Sequence, residues 1–311
     1  MKNIICNIIM YHYVRPLSKT KYPKLKALDL VAFERQLDHL QQNYHFVTPE
    51  DVINSIYTPF SLPERAVLLT FDDGYRDHFD YVYPLLKKKG IKAVFFPPTA
   101  AIYLDELLDV NRLHFLLACT PINILVERLE YSIKFKKQIK TYKSVDEYRA
   151  KFFKKGRYDD ADVNYFKRML QYALPERFRS ELLKELFAEF VDTDEKGFCR
   201  ELYVGPSELK EMKDNGMEIG CHGHNHYWLD KLSLQQQFKD IDLSLSMLKR
   251  DNLLSDKFWF CYPYGSYNTD TQRILGDYGC GAAVTVQPSF SVCDKSNSLS
   301  LSRFDTNDFP I

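Results

Sequence analysis

The sequence predicts an α/β fold, a largely parallel sheet of about seven strands interrupted midway by a helical insertion. Three observations predict it. First, residues 66–71 form an apolar run of strand type that ends in Asp72-Asp73-Gly74. A helical pattern over residues 76–89 follows, closed by Gly90 in the position favoured after a helix C-terminus, and residues 91–96 read as a second buried strand. Such a unit pairs its strands in parallel through a right-handed crossover, which puts the two carboxylates at a strand's C-terminal end. Second, at least seven strand signals occur along the chain, most followed by helical patterns. Third, strand signals stop between about Asp105 and Arg200.

In chain order, residues 1–10 read as a first strand that ends at Tyr11-His12-Tyr13. Residues 17–28 are polar and Lys-rich and read as an exposed loop. Phe33, Leu37 and Leu40 mark one face of a helix over residues 31–42, and His45-Phe46-Val47 is a short strand. Thr48 as cap, with Pro49 at the first helical position, opens another helix. Pro84 predicts a kink or split near Tyr83, because proline lacks an N–H and clashes with the preceding turn. Helices are predicted at residues 105–118, 121–137, 145–154, 162–173 and 175–190; Leu182, Leu183, Leu186, Phe187 and Phe190 make one apolar stripe. Past Leu202, a helix is predicted at 206–214 and a strand at 217–221. Ser233 and Gln236 resemble a capping box for a helix over 234–250. A strand at 257–260 leads to Pro263-Tyr264-Gly265, a helix covers 269–278, and strands at 281–286 and 299–305 complete the chain. Residues 1–104 and 201–311 are thus expected to form the sheet-bearing unit. Residues 105–200 are expected to form the insertion, serving as a lid or substrate-recognition subdomain, as packing, or as a dimer surface.

The 311-residue length fits one large domain or two smaller ones, and 45% apolar content supports a substantial core. Lys+Arg and Asp+Glu both number 42, so no global field favours nucleic acid or an anionic membrane. No window approaches the roughly 18 apolar residues of a membrane span. Seven Cys without regular spacing argue for reduced thiols. The apolar N-terminus is short, carries Asn and lacks a small-residue cleavage site, so it reads as a strand and not a signal peptide, and a cytoplasmic location is expected.

Adjacent Asp72 and Asp73 at a strand end need a cation or strong donors, since paired carboxylates repel and are costly to desolvate. One reading is a divalent metal held by one Asp while the other handles protons. The other is a helix N-terminus, whose dipole Asp complements. Glu218 to His226 favours the metal: His222, His224 and His226, three of eight His in the chain, fall within five residues just after a strand. Imidazole and carboxylate donors together suit zinc and similar divalent ions.

These segments resemble the polysaccharide deacetylase family, also called carbohydrate esterase family 4. Its first motif, Thr-Phe-Asp-Asp-Gly, stands complete at Thr70 to Gly74; its second, two His four residues apart, is matched by His222 and His226; its third, Pro-Tyr-Gly at a strand end, is matched by Pro263-Tyr264-Gly265. The resemblance covers roughly residues 1–100 and 200–311. It implies a distorted (β/α) barrel and hydrolysis of an N-acetyl group on a sugar. It makes Asp73, His222 and His226 the ligands of a divalent metal, zinc by default, and Asp72 the general base. Tyr264 would lend its backbone N–H to the oxyanion. Tyr75, Tyr262 and Tyr264 are candidate substrate contacts. Many relatives carry Tyr-His after the first strand, which makes His12 a candidate for proton transfer.

Three departures stand out. Gly223 replaces the usual Ser or Thr, removing a hydrogen bond beside the metal. Cys261 stands where many relatives have an Arg that orients the catalytic Asp. No His follows His226, so the usual C-terminal general acid is missing, and His12 and His224 are the nearby substitutes. Arg303 and Asp305, two residues apart on an alternating tail, offer a replacement cation. The expectation is that this strand lies beside the Asp72 strand, with Arg303 on Asp72 and Asp305 orienting Arg303. The substrate class is an N-acetylated sugar or glycan; the reading of the N-terminus as a strand and not a signal peptide favours a cytoplasmic precursor, such as a nucleotide- or lipid-linked sugar in surface-glycan assembly. Two other readings are a catalytically weak sugar-binding protein that retains the fold, and a different amidohydrolase using His222 and His224 as an HxH pair.

Overall fold

The computed structural model describes residues 4–135, 143–191 and 193–309. Ala66–Asp72 is buried at every position and lies at the centre of the sheet. It pairs in parallel with Ile5–Tyr11 on one side, Tyr11 opposite Phe71, and with Ala93–Phe96 on the other, Asp72 opposite Phe96. Ala93–Phe96 pairs in turn with Glu218–Ile219, and His45–Phe46 adds to the start of Ala66–Asp72. After Ile219 the ladder thins to one bridge, Cys221 to Phe260. Gly220 sits at this joint, and a Cβ there would lie 2.4 Å from the Phe96 ring, so only glycine lets the strands approach. Trp259–Cys261 and Ala282–Val284 continue the wall as a parallel pair, and one bridge joins Val284 to Leu301. Ser291–Val292 lies antiparallel on the first strand. The result is the distorted α/β wall expected, though among the described residues its joints are bridges and not a closed ladder.

Period-two alternation decides what faces the interior. Leu68 packs with Cys6, Ile8, Val94, Phe96, Trp259 and Val284 in the core, and Thr70 and Asp72 share its parity. The opposite parity carries Phe71, stacked between Tyr11 (5.0 Å) and Phe95 (4.9 Å). One strand thus supplies core, aromatic stack and, at its C-terminal end, a carboxylate.

The last strand differs from expectation. Phe304–Asp305 pairs in parallel with Ile5–Tyr11 and not with the Asp72 strand. The predicted helix at 76–89 is divided, as Pro84 predicts: a π-helical turn at His78–Val82 passes into Tyr83–Lys89. The helices Thr99–Tyr103 and Glu195–Leu202 and the strand Ser291–Val292 were not expected.

The chain divides into two compact units. One comprises Met1–Leu17, Ala27–Glu106 and Phe198–Ile311, and the other Ser18–Lys26 with Leu107–Gly197. The second unit holds Asp109–Cys119, Ile122–Phe135, Val145–Phe152, Ala161–Arg168 and Glu176–Phe190, and no strand among the described residues. The predicted end of the second of these, 136–137, lies outside the described residues. Phe178, Leu182, Leu183, Leu186 and Phe187 are buried as a helical stripe should be, whereas Phe190 is only partly so. The Lys-rich loop Ser18–Lys26 is not purely solvated: Tyr22 packs edge-on against Phe115 and Lys26 pairs with Asp159 at 2.6 Å.

Candidate metal centre and its surroundings

Asp73, His222 and His226 converge, all buried, with one ligand atom each within 4.8 Å of the others. Asp73 Oδ1 lies 3.4 Å from His222 Nε2 and 3.3 Å from His226 Nε2. The neighbours fix how each group presents itself. His222 Nδ1 donates to the Cys261 carbonyl at 2.8 Å, which leaves the Nε2 lone pair facing Asp73. Tyr75 donates to Asp73 Oδ2 at 2.6 Å, while Oδ1 has no hydrogen-bond partner. Burial alone would raise the Asp73 carboxyl; the two imidazoles outweigh it and hold the pKa well below the usual range. A buried carboxylate whose Oδ1 faces two imidazole nitrogens without a hydrogen-bond donor is reconciled by a cation, and a carboxylate with two imidazoles fits a divalent metal.

The backbone is bent to make this set. Asp73 (φ 72°), His226 (φ 58°) and Tyr264 (φ 58°) all occupy the left-handed region. Such conformations cost about 1–3 kcal/mol each and concentrate at functional sites. Tyr264 packs edge-on against His226 at 4.6 Å and stacks on Trp228 at 4.7 Å.

Asp72, 2% exposed, sits on the interior side. Arg303 donates to both of its oxygens at 2.8 Å, and also to Thr285 O, Thr70 Oγ1 and Cys261 Sγ. Burial raises the Asp72 carboxyl, but the guanidinium prevails and holds its pKa below the ordinary value. Asp72, His222 and Cys261 form a second cluster of potential ligands. Arg303 already neutralises its carboxylate, so a cation would compete there with a bidentate guanidinium. His12 lies at the mouth, its side chain 41% exposed and Nε2 3.9 Å from Asp72 Oδ2.

Four expectations need correction. Asp305 does not orient Arg303; it accepts from the Asn307 backbone and side chain in a terminal turn. Tyr262 is fully buried with its hydroxyl on Leu299 O, so it is not placed to meet a substrate. Tyr75 is equally buried and serves Asp73. His224 is turned away from the set, with Nδ1 at 2.8 Å from Thr99 Oγ1, so His222 and His224 do not form an HxH pair. Metal analysis should therefore find the ion lost in His226→Ala and retained in His224→Ala; the reverse pattern would reject this ligand set.

Asp240 was missed. It accepts from His224 N, Asn225 N and Asn225 Nδ2 at 2.9–3.0 Å and so holds the loop between the two ligand imidazoles. The signal was an Asp on the buried face of helix Leu234–Arg250, in line with Gln237, Ile241, Ser244 and Leu248. Gly223 is required by this arrangement: its φ is 71°, and a Cβ would lie 2.8 Å from Asp240 Oδ2. Gly223→Ser, which restores the residue common in the resembled family, should destabilise by about 1–3 kcal/mol without raising activity. An unchanged thermal midpoint would show that the loop tolerates a side chain there.

The family model described as polysaccharide deacetylase matches residues 61–108 and 147–283, more than half of the chain. It reaches into the helical insertion and leaves out the first strand and Arg303, unlike the extent read from the motifs. The Bacillus subtilis (strain 168) protein YxkH is 36% identical over 90 residues, 29% of this chain and 30% of that relative. The match thus spans less than a third of YxkH. The Streptococcus pyogenes deacetylase PplD, solved in complex with acetate, aligns over 98% of this chain and 93% of its own, with TM-score 0.57 and 18% identity. IcaB from Ammonifex degensii aligns over 97% and 91%, with TM-score 0.57 and 19% identity. These two structures share the fold. Since one family model runs through both the Asp72–Asp73 strand end and the His222–His226 loop, the chain belongs to the polysaccharide deacetylase family.

Proposed function

We propose that the chain is a metal-dependent hydrolase that removes N-acetyl groups from a sugar or glycan precursor, releasing acetate. The observation that carries this reading is the convergence of Asp73 Oδ1 with two imidazole Nε2 atoms, next to a second carboxylate held ionised by Arg303. A divalent ion on Asp73, His222 and His226, zinc being favoured by two imidazoles and a carboxylate, supplies Lewis acidity toward the amide carbonyl when bound.

The remaining chemistry falls to the chain's own groups. Asp72 takes a proton from the attacking water as the O–C bond forms. The Tyr264 N–H donates to the developing oxyanion. His12, protonated, gives its proton to the departing amine as the C–N bond breaks, and is restored by the proton held on Asp72 beside it. Atoms balance as amide plus water giving acetate plus amine. The exposed lip of His12 and the Trp228–Tyr264 stack suit a sugar ring lying across the opening.

Among the described residues none of the seven Cys forms a disulfide, which supports a cytoplasmic substrate such as a nucleotide- or lipid-linked sugar in surface-glycan assembly. The helical unit is proposed to contribute substrate recognition. The test is acetate release by metal-loaded and chelated protein from a panel of N-acetylated sugars, oligosaccharides and their nucleotide-linked forms. Binding of a panel member without acetate release under any metal would favour the sugar-binding reading and reject the enzyme.

A further inference from the structure

His12 is 3.9 Å from Asp72 Oδ2, yet it stands at the end of the first strand in a short irregular segment. Its placement must come from what grips that segment. Tyr13 stacks on Tyr75 with ring centroids 4.0 Å apart. Arg15 Nε donates to Asp77 Oδ2 at 2.7 Å, and its guanidinium covers the Tyr13 ring at 5.3 Å. His78 Nε2 donates to the His12 carbonyl oxygen at 2.8 Å. The three grips come from residues 75, 77 and 78, immediately after Asp72-Asp73-Gly74. The segment that carries the carboxylate pair therefore also holds the segment that carries His12.

His78 is the informative member. It is 1% exposed, among the rings of Phe71, Tyr75 and Phe95. A carbonyl only accepts, so Nε2 bears the proton and Nδ1 is the bare nitrogen. Nδ1 is buried with no hydrogen-bond partner, a cost of about 1–3 kcal/mol. Phenylalanine would fill the aromatic cage without that cost, so packing alone does not account for an imidazole. Burial pushes the His78 pKa down to about 4, so it remains a neutral donor across the physiological range. It also opens the π-helical turn His78–Val82, a distortion that frequently accompanies functional sites.

We propose that Asp77 and His78 are positioning residues that hold His12 over Asp72, through Arg15 and the His12 carbonyl, so that His12 can protonate the departing amine. This rests on the reading of His12 as the proton donor.

The test is a double-mutant cycle between His78→Phe and His12→Ala in the full metal-loaded chain. His78→Phe is expected to lower kcat about 10-fold, with KM changed by less than about threefold, and to have no further effect once His12 is Ala. His78→Gln, which keeps a donor, should recover part of the loss. Equal losses in both backgrounds would mark a merely structural role and overturn the proposal, as would no loss in the His12 background. If His78→Phe fails to fold, Asp77→Asn and Arg15→Gln break the second grip and enter the same cycle. A readout independent of turnover is the His12 Cε1–H resonance of carbon-13 histidine-labelled protein, identified by its loss in His12→Ala. It should move in His78→Phe; an unmoved resonance refutes the clamp. A moved resonance together with full activity in His12→Ala would leave the clamp standing and remove His12 as proton donor.

Discussion

Asp73→Ala protein should be recovered without divalent metal and without measurable acetate release, whereas Asp72→Asn should keep the metal and lose about 10²- to 10⁴-fold in kcat. The two carboxylates are adjacent in sequence and both lie near His222, but their hydrogen-bond partners differ. Asp73 turns through φ 72° to face His222 and His226, and its Oδ1 has no other partner, so its removal takes away the only anion of the set. Asp72 ends the strand and is taken up at both oxygens by Arg303. Asn at 72 keeps the shape and an acceptor but has no basic oxygen to receive a proton. Metal content measured after dialysis, alongside kcat, separates the roles. Equal metal loss in both variants would reject the division of labour.

The parts legible in the sequence are those with short-range patterns. The apolar run into Asp72-Asp73-Gly74, with a helix and a second strand after it, dictates a parallel pair by chain length and periodicity alone. The four-residue spacing of His222 and His226 survives folding because both sit on one loop. The contact between Arg303 and Asp72 was accessible because a missing cation beside a buried carboxylate has to be replaced. The rest depends on long-range packing. Asp240 reaches His224 from 16 residues further along the chain, so no local pattern ties them. Tyr75 and Tyr262 were assigned to substrate because an aromatic beside a motif looks the same in sequence whether it faces solvent or core. Asp305 was put on the Arg303 face by alternation. Only Phe304–Asp305 is paired as strand there, and Arg303 N bonds Gln287 O before the ladder begins. The five lysines and arginines of the 15–28 region would not have suggested that Tyr22 is held by Phe115.

Arg303→Ala should lower kcat by about 10- to 100-fold with metal content unchanged, and should bring an acid limb into the pH profile that the parent protein lacks above pH 5 or so. Two opposing effects act on Asp72. Burial, the larger single influence, raises its pKa; Arg303, by charge and by two hydrogen bonds, brings the net value below the ordinary 3.8. While Arg303 is present, Asp72 is ionised throughout the neutral range, and whatever stability it gains from the pairing is present above the unfolded pKa and lost as pH falls through the lower, folded one. Without Arg303, burial acts unopposed and the pKa rises above its ordinary value. The base is then protonated at mildly acidic pH, and activity falls as pH falls through the new value. Leaving the carboxylate buried and unpaired also costs about 3–5 kcal/mol, so a variant that keeps the charge is needed beside it. Arg303→Lys retains a cation near Asp72 but cannot reach both oxygens, Thr70, Thr285 and Cys261 together. It should fold, keep the acid limb low, and lose less activity than Arg303→Ala. An Arg303→Ala protein that folds, holds metal and shows the parent's pH profile would demonstrate that Asp72 is not the group whose ionisation the reaction requires.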